Sequence, residues 1–577
     1  MKKLVSLLLA AVLLVTALPA AFAEEEEGDV LRGTYTVYVM AESLTLENEL
    51  PLYFFDGVED MPWIDLEDLC SLMNGLQNDF FNETDYNVEL SNDGNLFTLV
   101  RENGYFAEVD FDEDTIKFSD YNGFLHKPSD DNLLDLLSAR GFNSEGEPDL
   151  FQRDMSASFD RLGDSMVLDL KDYDIHLKMF DDGGFIPLQT ASDFIFAPGM
   201  DLCVLFNDEA VFMVSSDEEL FDEDNAELTD LGKLYYDKEE TERSQALADF
   251  GYNELCLMLD CQYGLKEKHD IRSFGKIFWQ IGFDEALAST NAKDADEALK
   301  EFIHVYLDDL HSAYLLPTWM SGGFIVDSDR GPSTQFMVNQ MEKYAKLRED
   351  GMGSDWSAYE EVGNTAYITF DEFKFLAEDY YQAKEQDVQV PDTLGLVIYA
   401  HEQITRKNSP IENVVIDLTN NGGGDADAAM YIAAWIIGQA EVSIMDSYTE
   451  AQSTMVYRAD VNLDRKFDEK DTLAGKHVYC ITCPRSFSCG NLLPAMLKAN
   501  QAATLIGRTS GGGACIVQKM STAWGTLIQI SGNMRLSFRK NGSFYDIDEG
   551  VEPDVYIDHL ETLYDREALA EIINKLN

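Results

Sequence analysis

Ser488 lies in the run PRSFSCGN (residues 484–491), where an apolar strand-like stretch gives way to a helical pattern beginning near Gly490. Taken alone, a hydroxyl at such a turn is a helix N-cap. Given a base and a set of anion-stabilising donors, it is a nucleophile. Ser486, two residues earlier, competes for the same role. A donor set is available at residues 414–424, VVIDLTNNGGG. The stretch Val414–Leu418, broken only by Asp417, reads as a buried strand. Asn420 and Asn421 end it, and Gly422, Gly423 and Gly424 precede a helical pattern from Ala426 to Ile437. A lone glycine triplet is a tight turn; beside an exposed serine its N–H groups can face developing negative charge. The combination points to acyl transfer, with the N–H groups of Gly423, Gly424 and Cys489 as oxyanion donors.

A second constellation is DVNLDRKFDEKD, residues 460–471. Oxygen ligands at positions 1, 3, 5, 9 and 12 of a calcium loop would be Asp460, Asn462, Asp464, Asp468 and Asp471, with the Lys466 carbonyl at position 7. The spacing resembles dockerin loops more than the EF-hand, because position 12 is Asp. Arg465 stands where Gly is usual at position 6, so affinity in the weaker, extracellular range is expected. A solvated acidic loop is the alternative.

The elements that must position these groups fall into four stretches. Residues 1–23 read as a signal peptide: Lys2 and Lys3, an apolar run from Leu4 to Val15, and Ala21-Phe22-Ala23 as an A-x-A cleavage site. Residues 24–215 show short strands with turn signals and form a β-rich accessory region. Within it LPLYFFDGVEDMPWIDLEDLCSLM and IHLKMFDDGGFIPLQTASDFIF form a weak internal repeat: strand, acidic Gly-bearing turn, aromatic–Ile step, short helix. Residues 216–320 turn helical. Residues 321–577 alternate strands and helices, which implies an α/β core. About fifty residues separate His311 from Thr365, too few for an inserted peptide-binding domain of ordinary size.

The 577-residue chain has a formal net charge of −65. That surface repels nucleic acid and anionic lipid, and both partner classes are set aside. With 45% hydrophobic and 11% aromatic residues the chain nonetheless has enough apolar surface to fold. No transmembrane segment is expected after signal removal, and the protein is expected to be secreted or held at the cell surface. Eight cysteines are too few for a disulfide-built scaffold of this length. Cys480 and Cys483 form a CxxC on an apparent strand and read as structural.

Four motifs in order resemble the C-terminal processing (tail-specific) serine proteases. DLTNNGGG resembles their D-L-R-x-N-x-G-G, and SFSCGN takes the place of S-A-S-A-S-E with Ser488 at the nucleophile. LIGRTSGGG and EGVEPDVYID resemble the later L-I-G-x-x-T-x-G and G-V-x-P-D segments. The resemblance covers roughly residues 300–577 and implies an α/β fold with a crotonase/ClpP-like core at the C-terminus. Where Ser/Lys members carry their base, this chain has Gly512 or Gly513; Lys519 is near in sequence but displaced. LDDLHSAY (residues 307–314) instead resembles the D-x-H-[ST] motif of the tricorn and retinoid-binding-protein branch, which implies His311 as the base. An imidazole with an ordinary pKa near 6.5 can take a serine proton at neutral pH. A surface or capping histidine is the alternative. The branch's late acid would fall at Ile547, flanked by Asp546 and Asp548; either Asp is a substitute, with Asp548 favoured, and ordinary solvated acidity is the alternative for both.

The expected function is therefore an exported serine endopeptidase acting on protein or peptide substrates, using Ser488, His311 and Asp548, with no catalytic cofactor and calcium only structural. The rival is an inactive relative that binds peptides or hydrophobic ligands at the surface. Oligomeric state, specificity and the role of the N-terminal region are not legible in the sequence.

Overall fold

The computed structural model describes residues 25–27, 30–41, 44–81, 86–126, 150–154, 159–222, 227–238, 241–321, 329–374, 380–381 and 392–576. The proposed signal peptide lies outside the described residues, apart from which the chain is α/β with its protease-like core at the C-terminus.

The N-terminal region is built on two sheets. One runs in the order Lys178–Phe180, Gly183–Pro187, Trp63–Asp65, Leu44–Phe55, Val30–Ala41, Ala210–Val214, Cys203–Phe206, with Glu25–Glu27 beside Val30–Ala41. The other is an antiparallel meander of Val88–Asp93, Leu96–Arg101, Phe106–Asp110, Thr115–Phe118 and Met166–Asp169. In Leu96–Arg101 every second side chain is buried, the period-2 signature of a sheet with one covered face. Both copies of the internal repeat form a strand leading into a helix, and the two copies pair with each other: Phe185, Ile186 and Pro187 lie opposite Asp65, Ile64 and Trp63.

The helical stretch is anchored by Gln245–Gln262, capped by the Ser244 hydroxyl on the Leu247 N–H (3.0 Å). Cys256 and Cys261 lie on it, buried and unpaired, like all eight cysteines. The helix Ala292–Glu301 continues through a looser turn to Leu307 and ends at Asp308, whose φ of +44° reverses the chain.

The C-terminal core holds a six-stranded sheet in the order Tyr359–Val362, Thr365–Thr369, Asn413–Asp417, His477–Thr482, Thr504–Gly507, Val555–Tyr556, all parallel after the first pair. Val414, Ile416 and Leu418 enter one apolar cluster with Met430, Tyr431 and Trp435 of the helix Ala426–Ile437 and Leu493 of the helix Cys489–Ala499. Val415 enters the opposite cluster with Tyr344, Tyr479, Ile481, Leu563 and Tyr564. A strand covered on both faces needs apolar residues at every position, which is why VVIDL reads as one continuous run. Each fully buried aliphatic side chain here contributes about 1.5–3 kcal/mol. The helix Pro332–Met352 takes up much of the sequence between His311 and the first core strands, beginning with Pro at its first position.

A second sheet crosses the sequence divisions. Gln452–Ala459 pairs with Ala440–Asp446 on one side and with Phe159–Arg161 and Phe151–Arg153 on the other. Leu527–Lys540 joins the same sheet and pairs with Ala313–Leu316. That last pairing places His311 at the core.

Candidate active site

The carboxyl ends of the parallel strands converge on the two turns singled out above, where open α/β sheets commonly bind ligands. The strand Asn413–Asp417 ends in Thr419, whose N–H and hydroxyl both bond the buried Asp417 carboxylate (3.0 and 2.8 Å). Asn421, fully buried, then fixes the glycine turn: its Nδ2 donates to the Phe370 carbonyl (3.2 Å) and its Oδ1 accepts from the Gly423 N–H (2.9 Å). The Gly423 donor is thus engaged within the chain. Among the described residues no partner is seen for the N–H groups of Gly424 or Cys489. Gly423 and Gly424 have φ of +115° and +120°, a conformation that L side chains rarely adopt.

Ser488 stands at the N-terminus of Cys489–Ala499 but does not cap it; its hydroxyl makes no hydrogen bond among the described residues. Its φ of +56° and ψ of −124° store roughly 1–3 kcal/mol of strain, held by the surrounding structure. The Ser488 N–H donates to the Gly512 carbonyl (2.8 Å), and the Gly511 N–H to the Ser486 carbonyl (2.8 Å). Ser486 is otherwise committed: fully buried, its hydroxyl donates to the Leu418 carbonyl (2.7 Å) and accepts from the Cys483 N–H (3.0 Å). Of the two hydroxyls, only that of Ser488 is unspent. Burial pushes the neighbouring Cys489 thiol up to about 12, which keeps it protonated and inert. Cys483 is similarly raised to about 12 and donates to the Thr419 carbonyl, a structural role.

The His311 ring packs on Phe487 with centroids 4.6 Å apart. Its backbone carbonyl accepts from Gln529 Nε2 (2.7 Å) and its N–H donates to Asp309 Oδ1 (3.2 Å). A Cβ on Gly513 would stand 2.6 Å from the Phe487 ring and 3.1 Å from His311 Cε1; a Cβ on Gly512 would stand 1.8 Å from the Asp548 carbonyl oxygen. The two positions where Ser/Lys relatives carry their base therefore have no room for a side chain, and the imidazole lies beside that space. Lys519 is elsewhere, its Nζ on the Ser215 carbonyl (2.6 Å). Burial lowers the His311 pKa from its ordinary value, against the opposing pull of Asp309 and Asp548.

Asp548 reaches this cluster, with its carboxylate turned to other partners. Oδ1 accepts from the Ala514 N–H (2.8 Å) and Oδ2 bonds Lys268 Nζ (2.5 Å), which also meets Glu549 (2.8 Å). Burial alone would raise Asp548; the Lys268 and Ala514 hydrogen bonds outweigh it and hold the carboxyl below its ordinary value. Asp546, the other candidate, pairs with Arg535 (2.7 Å) and accepts from the Asp548 N–H (2.9 Å). Sequence reasoning missed Lys268, which lies 280 positions from its partner, and Phe487 and Asn421, which carry no chemistry of their own.

Residues 364–557 match the model of peptidase family S41. This region is similar to that peptidase family. No curated protein sequence matches the chain. Among solved structures the chain is similar to a photosystem II D1 C-terminal processing protease (20% identity, 36% of this chain and 46% of that one, TM-score 0.27). It is similar also to a putative peptidase from Parabacteroides merdae (13%, 52% and 87%, 0.36) and to mature CPAF complexed with lactacystin (12%, 57% and 98%, 0.35). The chain spans less than half of the D1 protease. The S41 match covers the glycine turn, Ser488 and Asp548, and leaves His311 and Lys268 outside it.

The 460–471 loop packs against the S41 core through the Asp460 carbonyl, which accepts from Tyr431 of the helix after the glycine turn (2.9 Å). Asp460 Oδ1 and Oδ2 accept from the N–H groups of Asp464 (3.1 Å) and Arg465 (2.7 Å), and Asn462 Oδ1 from Asp464 (2.9 Å). Arg465 has φ +59°, the left-handed turn that Gly usually supplies at this position, and its guanidinium stacks on Tyr381 at 3.9 Å. Asp471 accepts from Val461, Asn462 and Asp468. Asp464 and Asp468 point toward Lys466 (3.4 Å) and Lys470 (3.8 Å). Among the described residues no three His, Cys, Asp or Glu side chains are grouped so as to hold a metal ion.

Proposed function

We propose that the protein is an active serine endopeptidase in which Ser488 attacks the scissile carbonyl and His311, outside the S41 match, takes its proton, later returning it to the leaving amine. The observation that carries this reading is the strained, unspent hydroxyl of Ser488 lying against Gly423. The glycine turn offers the Gly424 and Cys489 N–H groups to the oxyanion. The Gly423 N–H can join them only by sharing with, or leaving, Asn421 Oδ1. Donors fixed before the reaction stabilise charge at no reorganisation cost. His311 supplies the base in place of the missing lysine, its ring braced by Phe487 and its backbone by Asp309 and Gln529. Asp548, neutralised by Lys268, tunes the field at His311 and anchors the segment after Gly513. Export to the cell surface or medium is part of the proposal and rests on residues 1–23 of the sequence.

Calcium at residues 460–471 is proposed as a structural ion on ligand spacing and on the left-handed turn at Arg465. Binding would turn Asp464 and Asp468 from Lys466 and Lys470 toward the ion.

A fluorophosphonate probe tests the catalytic reading. Covalent labelling of the wild type at Ser488, lost in Ser488→Ala, is the expected result. An unlabelled, folded wild type would mean a pocket that only binds.

A further inference from the structure

The chain has 107 acidic and 42 basic residues, yet Arg485, beside the glycine turn, has no carboxylate partner among the described residues. It lies three residues before Ser488, partly buried, and among the described residues no ion pair or hydrogen bond is made by its guanidinium. Its Nε is buried with no hydrogen-bond partner. Burial lowers its pKa from the ordinary value, with Cys483 and Asp371 pulling weakly the other way. Asp371 is already spent: both of its oxygens bond Arg348 (2.8 and 2.5 Å). A guanidinium partly withdrawn from water and left unpaired is well placed to take a carboxylate.

The position of the guanidinium says where that partner would sit. It packs on the first residue of the glycine turn, so closely that a Cβ on Gly422 would stand 2.5 Å from one terminal nitrogen and 2.9 Å from the guanidinium carbon and from the other. The next residue, Gly423, lies against the Ser488 side chain. Gly422 therefore keeps the turn open to the guanidinium, and the cation and the nucleophile share one three-residue floor. Beside them the Asn420 amide, 8% exposed, has an Oδ1 with no hydrogen-bond partner.

We propose that Arg485 is a substrate-binding residue that takes a carboxylate of the peptide next to the scissile bond. The inference rests on the serine-peptidase reading of Ser488. The planar fork of arginine matches a carboxylate through two parallel hydrogen bonds, and the pair is strongest where water is excluded. The carboxylate comes from an acidic side chain flanking the cleaved bond or from the C-terminus of the peptide; both present the same group to the fork. The strongly acidic surface of the enzyme repels such peptides at a distance, so one unpaired cation at the turn confers selectivity at close range.

The test compares matched peptide pairs on the intact mature chain: Glu against Gln at positions flanking the cleaved bond, and free acid against C-terminal amide. We expect kcat/KM to fall about 10–100-fold for one of the two neutral forms. Loss on amidation identifies the C-terminal carboxylate; loss on Glu-to-Gln exchange identifies the side chain. Arg485→Gln should erase that preference while fluorophosphonate labelling of Ser488 persists, and Arg485→Lys should keep part of it. Equal rates for both pairs in the labelled wild type overturn the proposal, as does a preference that survives in Arg485→Gln. If Arg485→Gln does not fold, the wild-type pairs and Arg485→Lys decide. Failure of labelling in the wild type is the distinct signature of a wrong reading of Ser488.

Discussion

Ser488 lies directly on Gly423: a Cβ added to that glycine would stand 2.7 Å from the serine Cβ and 3.1 Å from its Oγ. Nucleophile and turn are thereby fixed to one another across 65 residues of sequence, through the Asn421 carbonyl, which accepts from the Phe487 N–H (3.2 Å). The contact explains why the strain at Ser488 survives. The bonds to Gly512, Asn491 and Leu492 leave the residue no alternative backbone conformation.

Two substitutions separate chemistry from strain at this contact. Ser488→Ala should abolish peptide hydrolysis with little change in melting temperature, because alanine keeps the Cβ and the unfavourable φ. Ser488→Gly should be equally inactive and more stable by about 1 kcal/mol, since glycine accepts a positive φ. Thermal unfolding alongside a peptidase assay checks both; hydrolysis by either variant would reassign the nucleophile.

For His311, burial lowers the pKa, so the neutral, base-competent form persists below the ordinary value near 6.5. The acid limb of kcat/KM should therefore fall below pH 6.5. His311→Ala should cost roughly 10²–10⁴-fold in rate, the usual range for a lost general base, whereas Lys519→Ala should leave activity unchanged. Lys268→Met should move the acid limb upward, because Asp548 would then act on His311 without its counter-charge. A limb at 6.5 or above would mean that Asp309 and Asp548 outweigh burial at His311, whereas full activity in His311→Ala would remove the histidine from the mechanism.

The pairing of glycine turn and serine was legible in the sequence because both are local: a buried strand must read VVIDL, and a turn at φ near +120° must be glycine. The vacancy at Gly512 and Gly513 was legible as well, and the structure gives its cause in the Asp548 carbonyl and the Phe487 ring. Long-range partners were not. Lys268 reaches Asp548 because the chain just before it joins the core, Tyr263 lying opposite Gly532 and the Gly264 N–H donating to the Ser531 carbonyl, and no period or spacing encodes that. The same holds for Phe151–Arg153, which completes a sheet begun 300 residues later.

Calcium should raise the melting temperature. With a dissociation constant near 10⁻³ M, about 5 mM ion would add about 1 kcal/mol, a shift of a few degrees at most. Asp460→Ala combined with Asp464→Ala should remove the gain. Since Asp460 meets Tyr431 on the helix after the glycine turn, the ion should also slow thermal loss of Ser488 labelling. An unchanged melting curve and no heat of binding in millimolar calcium would leave an acidic loop held by its own N–H groups.

Glu254 sets an alkaline limit on stability. It lies fully buried on the helix Gln245–Gln262, with Thr190 Oγ1 on one oxygen (2.9 Å), and it faces Asp193, which is itself held by Gln189 (2.8 Å). Burial raises the Glu254 pKa to about 8, and burial together with the Glu254 charge raises Asp193. Two such carboxyls in one dry site remain protonated or share a proton. The folded pKa is raised above the unfolded value near 4.3, so the stabilisation is complete below the unfolded pKa and is lost as pH rises through about 8. Stability should therefore decline by about 1.4 kcal/mol per pH unit per proton across that window. Glu254→Gln keeps the shape and a hydrogen-bonding group without the ionisation. It should flatten the decline, so that variant and wild type have similar melting temperatures at pH 5 and the variant is the more stable at pH 8. Parallel melting profiles for the two proteins from pH 5 to pH 9 would show that the pair does not titrate on unfolding.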